Sequence, residues 1–229
     1  MKKYLLLVVL FTGLQTAVFA QVQNTGWFFL THTQKVSDKF DVLADVQLRS
    51  ADRFDFTQTL LLRGALSYNI KKHAVALGYA YKGDWTHEDG ERTYSPENRI
   101  YQQYLYDFKA GKVELNARFR LEQRFVKEDG EVDFSQRARA FLSAQIPLVA
   151  DTGFTKGLYT GIQNELFFNV QNKDKVNNSV FDQNRSFVSL GYRFSKKIDT
   201  EFGYMYWYQK EMDKNTKTNV WQLMITTKF

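Results

Sequence analysis

The segment Val113-Glu-Leu-Asn-Ala-Arg-Phe-Arg-Leu-Glu-Gln-Arg-Phe125 splits by parity into two unlike sets. Odd positions carry Val113, Leu115, Ala117, Phe119, Leu121, Gln123 and Phe125, whereas even positions carry Glu114, Asn116, Arg118, Arg120, Glu122 and Arg124. Successive side chains of a β-strand point to opposite faces. As a strand, this segment has one oily and one densely ionised side. Wound as a helix, its arginines would scatter around the whole circumference, so a helix is the poorer reading. One such strand fits the edge of a soluble sheet, but the pattern recurs along the chain.

The recurrence delimits eleven two-faced segments, at about 24–36, 40–50, 57–70, 73–85, 98–109, 112–126, 134–147, 157–170, 185–195, 198–210 and 219–229. No linker, low-complexity tract or composition break divides them, which predicts a single domain over 21–229. Ser37-Asp38-Lys39, Lys71-Lys72, Lys109-Ala110-Gly111 and Ser195-Lys196-Lys197 read as tight turns. Between them stand longer polar stretches at 86–97, 127–133, 171–184 and 211–218. Short turns on one rim and long loops on the other are the habit of outer-membrane barrels. The link 148–156 is an exception, being long at a short-turn position. Bacterial single-chain barrels have even strand numbers, so ten or twelve strands are expected, with a break hidden in 21–36 or one segment outside the wall. Leu77-Gly78-Tyr79-Ala80-Tyr81 after Lys71-Lys72 repeats as Phe202-Gly203-Tyr204-Met205-Tyr206 after Lys196-Lys197, either a duplicated hairpin or convergent hairpin chemistry.

The start of the chain reads as a cleaved signal peptide, residues 1–20. Lys2 and Lys3 supply the positive start, Tyr4 to Phe11 the apolar core and Val18-Phe19-Ala20 the small-residue cleavage site. The chain has no cysteine, which excludes disulfides, lipid attachment and thiolate metal sites. Loss of Lys2 and Lys3 from the +6 total leaves about +4 for the mature chain. That charge is spread without a basic run, so no nucleic acid partner is expected. Aromatics are 16% of residues, prolines number two and mean hydropathy is −0.44. After the signal segment no apolar stretch reaches the length of a membrane helix. Both a membrane β-barrel and a secreted soluble β protein satisfy these bounds.

Four features point the oily face outward. The ionised face uses arginine, including Arg49, Arg63, Arg118, Arg120, Arg124, Arg137, Arg139 and Arg193, with Glu114, Glu122, Glu165 and Glu201 as partners. Guanidinium forks suit interior ion pairs better than lysines do. Trp27, Trp85, Tyr206, Trp207, Tyr208 and Trp221 stand near segment ends, where amphipathic rings suit a membrane interface. The strands exceed the usual soluble length and can cross a bilayer with tilt. Finally, Phe229 ends the alternating run Trp221-x-Leu223-x-Ile225-x-Thr227-x-Phe229. A terminal aromatic of this kind resembles the signal read by the bacterial outer-membrane insertion machinery. The expected fold is an all-β, antiparallel, up-and-down transmembrane barrel of about 10–12 strands with an Arg/Glu-rich lumen. The expected location is the outer membrane, with outer-membrane lipid, including lipopolysaccharide, and the barrel-assembly machinery as partners.

Five blocks carry a family resemblance: Glu97-Asn98-Arg99, Arg118-Phe-Arg-Leu-Glu-Gln-Arg124, Gln136-Arg137-Ala-Arg139, Asn164-Glu165, and Phe181-Asp-Gln-Asn184-Arg185 leading to Leu190-Gly-Tyr-Arg-Phe194. In this order they resemble the outer-membrane β-barrel family called domain of unknown function 2490, abundant in the Bacteroidetes lineage. The resemblance implies fold and location, and brings no catalytic residue or cofactor.

Chemistry is sparse. His32, His73 and His87 are the only histidines, and no serine stands in a nucleophile motif, so no enzyme, metal or cofactor is expected. His87-Glu88-Asp89-Gly90-Glu91 reads as a solvated loop more readily than as a cation site. The candidate site is the lumen set Arg63, Glu114, Arg118, Arg120, Glu122, Arg124, Arg137, Arg139, Glu165, Arg193 and Glu201. Such a set either neutralises itself and fills a narrow barrel, or forms an anion-preferring constriction passing a small anionic solute.

Overall fold

The structure, a computed structural model, describes residues 22–88, 90–128 and 130–229, and the expected signal peptide lies outside the described residues. Eleven strands follow in chain order: β1 Gln23–Lys35, β2 Phe40–Ser50, β3 Thr57–Ile70, β4 His73–Glu88, β5 Glu91–Ala110, β6 Val113–Glu128, β7 Glu131–Ala150, β8 Gly157–Gln171, β9 Phe181–Ser195, β10 Ile198–Lys210 and β11 Asn215–Lys228. Each strand pairs with its neighbours in sequence, and β1 pairs with β11 to close the barrel.

The closing seam corrects the expected even count. All eleven segments stand in the wall, and the ten hairpin seams are antiparallel. β1 and β11 run parallel, from Gln23 opposite Thr218 to Thr33 opposite Lys228. An odd number of strands leaves the first and last pointing the same way. A parallel seam saturates backbone groups as an antiparallel one does, with slanted bonds. Even parity follows only if closure is antiparallel, and nothing in the local pattern demands that.

The rims also differ from expectation. At one rim, here the loop rim, the connections are 51–56, 89–90, 129–130, 172–180 and 211–214. At the other, the turn rim, they are 36–39, 71–72, 111–112, 151–156 and 196–197, together with Phe229. The stretches 86–97 and 127–133 are therefore not loops. The β4–β5 ladder continues to Glu88 opposite Glu91, and the β6–β7 ladder to Glu128 opposite Glu131. Gly90 and Gly130, just before β5 and β7, have φ +84° and +87°. Asp-Gly between strands is a strong hairpin signal, and it is present at 89–90 and 129–130. Protruding hairpins, with β5 and β7 at 20 residues each, carry much of the asymmetry expected of loops.

Alternation holds along the wall strands except at bulges, such as the start of β9, where neighbouring Asp182 and Gln183 are both buried. Leu66, Leu77, Phe119, Leu142, Leu190 and Phe202 point out of the barrel and are each more than half exposed. Apolar patches above a few hundred Å² are rare on soluble monomers, and here outward apolar side chains girdle the barrel. Polar groups in this outer face are paired across strands. Gln102 and Gln123 exchange amide hydrogen bonds at 3.1 Å in both directions, and Asn164 donates to Ser186 at 2.9 Å.

Inward glycines make room for large lumen side chains. A Cβ at Gly78 would stand 2.3 Å from the Tyr101 ring, and one at Gly191 would stand 2.4 Å from the Tyr159 ring. The Gly-Tyr pairs of the repeated hairpins thus place a gap inside and an aromatic ring outside.

Candidate binding vestibule and lumen network

All eleven predicted lumen residues lie on the inward parity of their strands, and most meet a partner of opposite charge. Glu122, 1% exposed, accepts from Arg137 at 2.8 Å and Arg139 at 2.6 Å, with Arg120 at 3.6 Å. Arg139 also reaches Glu165 at 2.8 Å, and Glu165 accepts from Arg118 at 2.7 Å. Arg137 continues to Asp182 at 3.0 Å. These contacts make one unbroken chain from Arg118 to Asp182 across β6, β7, β8 and β9. Arg124 joins a second cluster through Glu97 at 2.5 Å, where Arg99 forms a two-pronged pair at 2.8 and 2.7 Å. Arg63 pairs separately with Asp45 on the adjacent β2 at 2.6 Å.

At the turn-rim end a connection folds into the bore. The 151–156 connection sends Phe154 inward, where it is 5% exposed and packs edge-on against Tyr159. The Arg193 guanidinium lies 3.9 Å from the Phe154 ring centre and donates to the Phe154 carbonyl at 3.0 Å. Arg193 also pairs with Asp199 at 2.9 Å and Glu114 at 2.9 Å. Glu201 departs from expectation, since it makes no ion pair among the described residues. It accepts instead from Tyr159 at 2.9 Å, Ser189 at 2.7 Å and Gln145 at 3.0 Å. Gln145 in turn accepts from Arg193 at 2.8 Å, so the amide links Glu201 to the cation.

The loop-rim end is open. A cavity of about 720 Å³ runs inward from Asp52, Glu211 and Lys214 at the mouth to Arg63, Arg139 and Phe167 at its floor. Seven arginines and two lysines line it against three carboxylates. Eight lumen arginines have a carboxylate within 4.0 Å. Arg49 and Arg185 have none among the described residues. Arg49 donates to Gln47 at 2.7 Å and Arg185 to Gln183 at 2.9 Å. Both guanidiniums stand over the Trp27 ring, at 4.0 and 5.1 Å from its centre, and Arg185 also faces Phe167 and Trp207.

Trp27 and Trp207 correct the expected aromatic belt. Both point into the bore, meeting edge-on with centres 5.4 Å apart, while Trp221 is on the outer face and 44% exposed. Nearness to a strand end does not say which face a ring occupies; parity does. Sequence reasoning also left Glu97, Arg99, Asp182 and Arg185 out of the lumen set. Arg99, inside the expected segment 98–109, shares parity with Tyr101 and Gln103, and Glu97 joins them because β5 starts at Glu91. Asp182 falls within the expected loop 171–184, but β9 starts at Phe181 and a bulge there turns Asp182 inward, off the strand's odd parity.

A family model matches residues 24–218, which includes nearly the whole wall. Its description is "Protein of unknown function (DUF2490)". The chain belongs to this family. The five blocks that suggested DUF2490 are the ones that furnish both ion-pair clusters and Arg185. No curated protein and no solved structure matches the chain.

The histidines lie away from these clusters. His32 bonds Thr227 at 2.8 Å, and His73 bonds Tyr104 at 2.5 Å while stacking on Tyr106. His87 belongs to β4 rather than a loop, opposite Arg92 and against Phe56. The suggested chelating loop is thus a paired hairpin end.

Proposed function

We propose that this DUF2490 chain is an exported outer-membrane barrel with a closed bore, whose loop-rim vestibule binds small anionic solutes. The supporting observation is the opposition of its two faces: a girdle of unpaired apolar side chains outside and a nearly self-neutralised charge network inside. A bilayer supplies the apolar medium that the girdle requires, and a closed sheet leaves no unpaired strand edge in lipid. Ion pairs from facing strands, with Phe154 beneath, fill the bore and favour binding over conduction. In this reading the loop rim faces outward toward lipopolysaccharide and the turn rim faces the periplasm. Phe229, 49% exposed and hydrogen-bonded to Thr33 at 2.9 Å, is then accessible to the assembly machinery at the β1–β11 seam.

The test is fractionation followed by planar-bilayer recording. The protein should be recovered with the outer membrane, migrate with heat-dependent mobility, and give no discrete conductance. Recovery from the soluble periplasm would sink the membrane reading. Anion-preferring steps, enlarged by Arg118→Ala with Arg120→Ala, would replace the closed barrel with a pore.

A further inference from the structure

We infer that the vestibule takes a small polyhydroxylated anion, a sugar unit bearing a carboxylate or phosphate, with Arg49 and Arg185 holding the charged group. This inference rests on the solute-binding reading of the vestibule and adds the ligand class. Two guanidiniums over one indole without a carboxylate leave a locally uncompensated positive site. Elsewhere in the bore each arginine has its acid, so the imbalance is local to this cavity. The planar guanidinium fork matches the two oxygens of a carboxylate or phosphate.

Orphaned polar atoms point the same way. Buried polar atoms nearly always have a partner, yet five side-chain atoms among the described residues have none: Thr25 Oγ1 and Arg185 Nε here, and one each on Arg118, Arg120 and Asn169 elsewhere. Thr25 and Arg185 both line this cavity, and Thr25 is 5% exposed. Between the charged groups of the wall, Gln58, Thr59, Gln209, Asn215 and Thr216 present amides and hydroxyls. Sugar hydroxyls find donors and acceptors there. At about 720 Å³ the cavity is within the range of small-molecule sites.

The test uses the full barrel refolded in detergent, with tryptophan fluorescence reporting through Trp27 and Trp207 and titration calorimetry as a second readout. Glucuronate and glucose 6-phosphate should bind saturably, each at least about tenfold tighter than glucose, since a hydrogen bond to a charged group contributes this much or more, and each tighter than acetate, which has the charge and lacks the hydroxyls. Added salt should weaken both acids. Arg49→Gln and Arg185→Gln should each lose about tenfold, Arg185→Lys less, and Lys39→Gln at the far rim nothing. Heat-dependent mobility verifies that each variant is folded. If a variant fails to fold, the comparison of acid, glucose and acetate on the unaltered protein still decides. Equal binding of glucose, equal binding of acetate, or no saturable binding of either acid would overturn the inference. So would undiminished binding by a folded Arg49→Gln, Arg185→Gln double variant. Bilayer currents from the unaltered protein would overturn the closed bore and leave this assay standing. A silent barrel that binds neither acid would overturn this inference alone.

Discussion

Glu122→Ala separates a dry, plugged bore from a wet one. The carboxylate is 1% exposed and faces three guanidiniums, with Arg137 at 2.8 Å, Arg139 at 2.6 Å and Arg120 at 3.6 Å. Arg139 keeps Glu165 and Arg137 keeps Asp182, so the loss falls on cations that remain only partly compensated. A unit-charge pair at 4 Å contributes about 1 kcal/mol in bulk water and about 4 kcal/mol at an effective dielectric constant of 20. Removing one partner of a buried pair costs about 3–5 kcal/mol, because a desolvated charge is left behind. The expected loss is therefore about 3–5 kcal/mol, read from urea unfolding in detergent micelles by tryptophan fluorescence. Adding Arg137→Met should cost less than the two single losses together, since each single change strands the other charge. A loss for Glu122→Ala below about 1 kcal/mol would mean that water screens the network, and would refute the plugged bore.

Three further outcomes follow from the geometry. Gly191→Ala should destabilise the barrel by about 1–3 kcal/mol, because its Cβ meets the Tyr159 ring at 2.4 Å and Glu201 Cγ at 2.8 Å. Gly64→Ala, with nothing within 4 Å of its Cβ, should be neutral in the same unfolding assay, and equal losses would contradict the inward placement of Gly191. Phe154→Ala should cost about 3–5 kcal/mol and introduce small, flickering bilayer currents at the turn rim. Silence with unchanged stability would show that Phe154 does not close that end. Because the chain is free of cysteine, a single Cys at Asn215 should react with an impermeant maleimide on intact cells and one at Lys197 only after permeabilisation. The reverse pattern would invert the proposed orientation.

Much of the wall was legible because strand alternation is a local property. In β2, β3 and β10 the expected and observed bounds coincide, at 40–50, 57–70 and 198–210. The errors arose where local polarity and pairing disagree. Residues 86–97 and 127–133 are polar enough to read as loops, yet opposite strands of the same hairpins supply their backbone partners. Their Asp-Gly turns were the better guide. The lumen set was legible by parity for the same reason that the wall was. Its pairing was not, because Arg137 meets Asp182 forty-five positions away through the order of strands around the closed sheet.

The sequence by itself determined which side chains share a face, since the two-residue period of a strand depends only on the chain's own backbone. That was enough to separate an oily face from the arginine- and glutamate-rich face of Val113–Phe125, though not to say which of them points outward. Tertiary structure decided how the sheet closes, with β1 parallel to β11 and an odd strand count. It also decided which charges neutralise one another, why Glu201 takes a tyrosine and an amide in place of an arginine, and why Arg49 and Arg185 are left without acids. Those outcomes depend on distances across the bore, and such distances exist only once the barrel has closed.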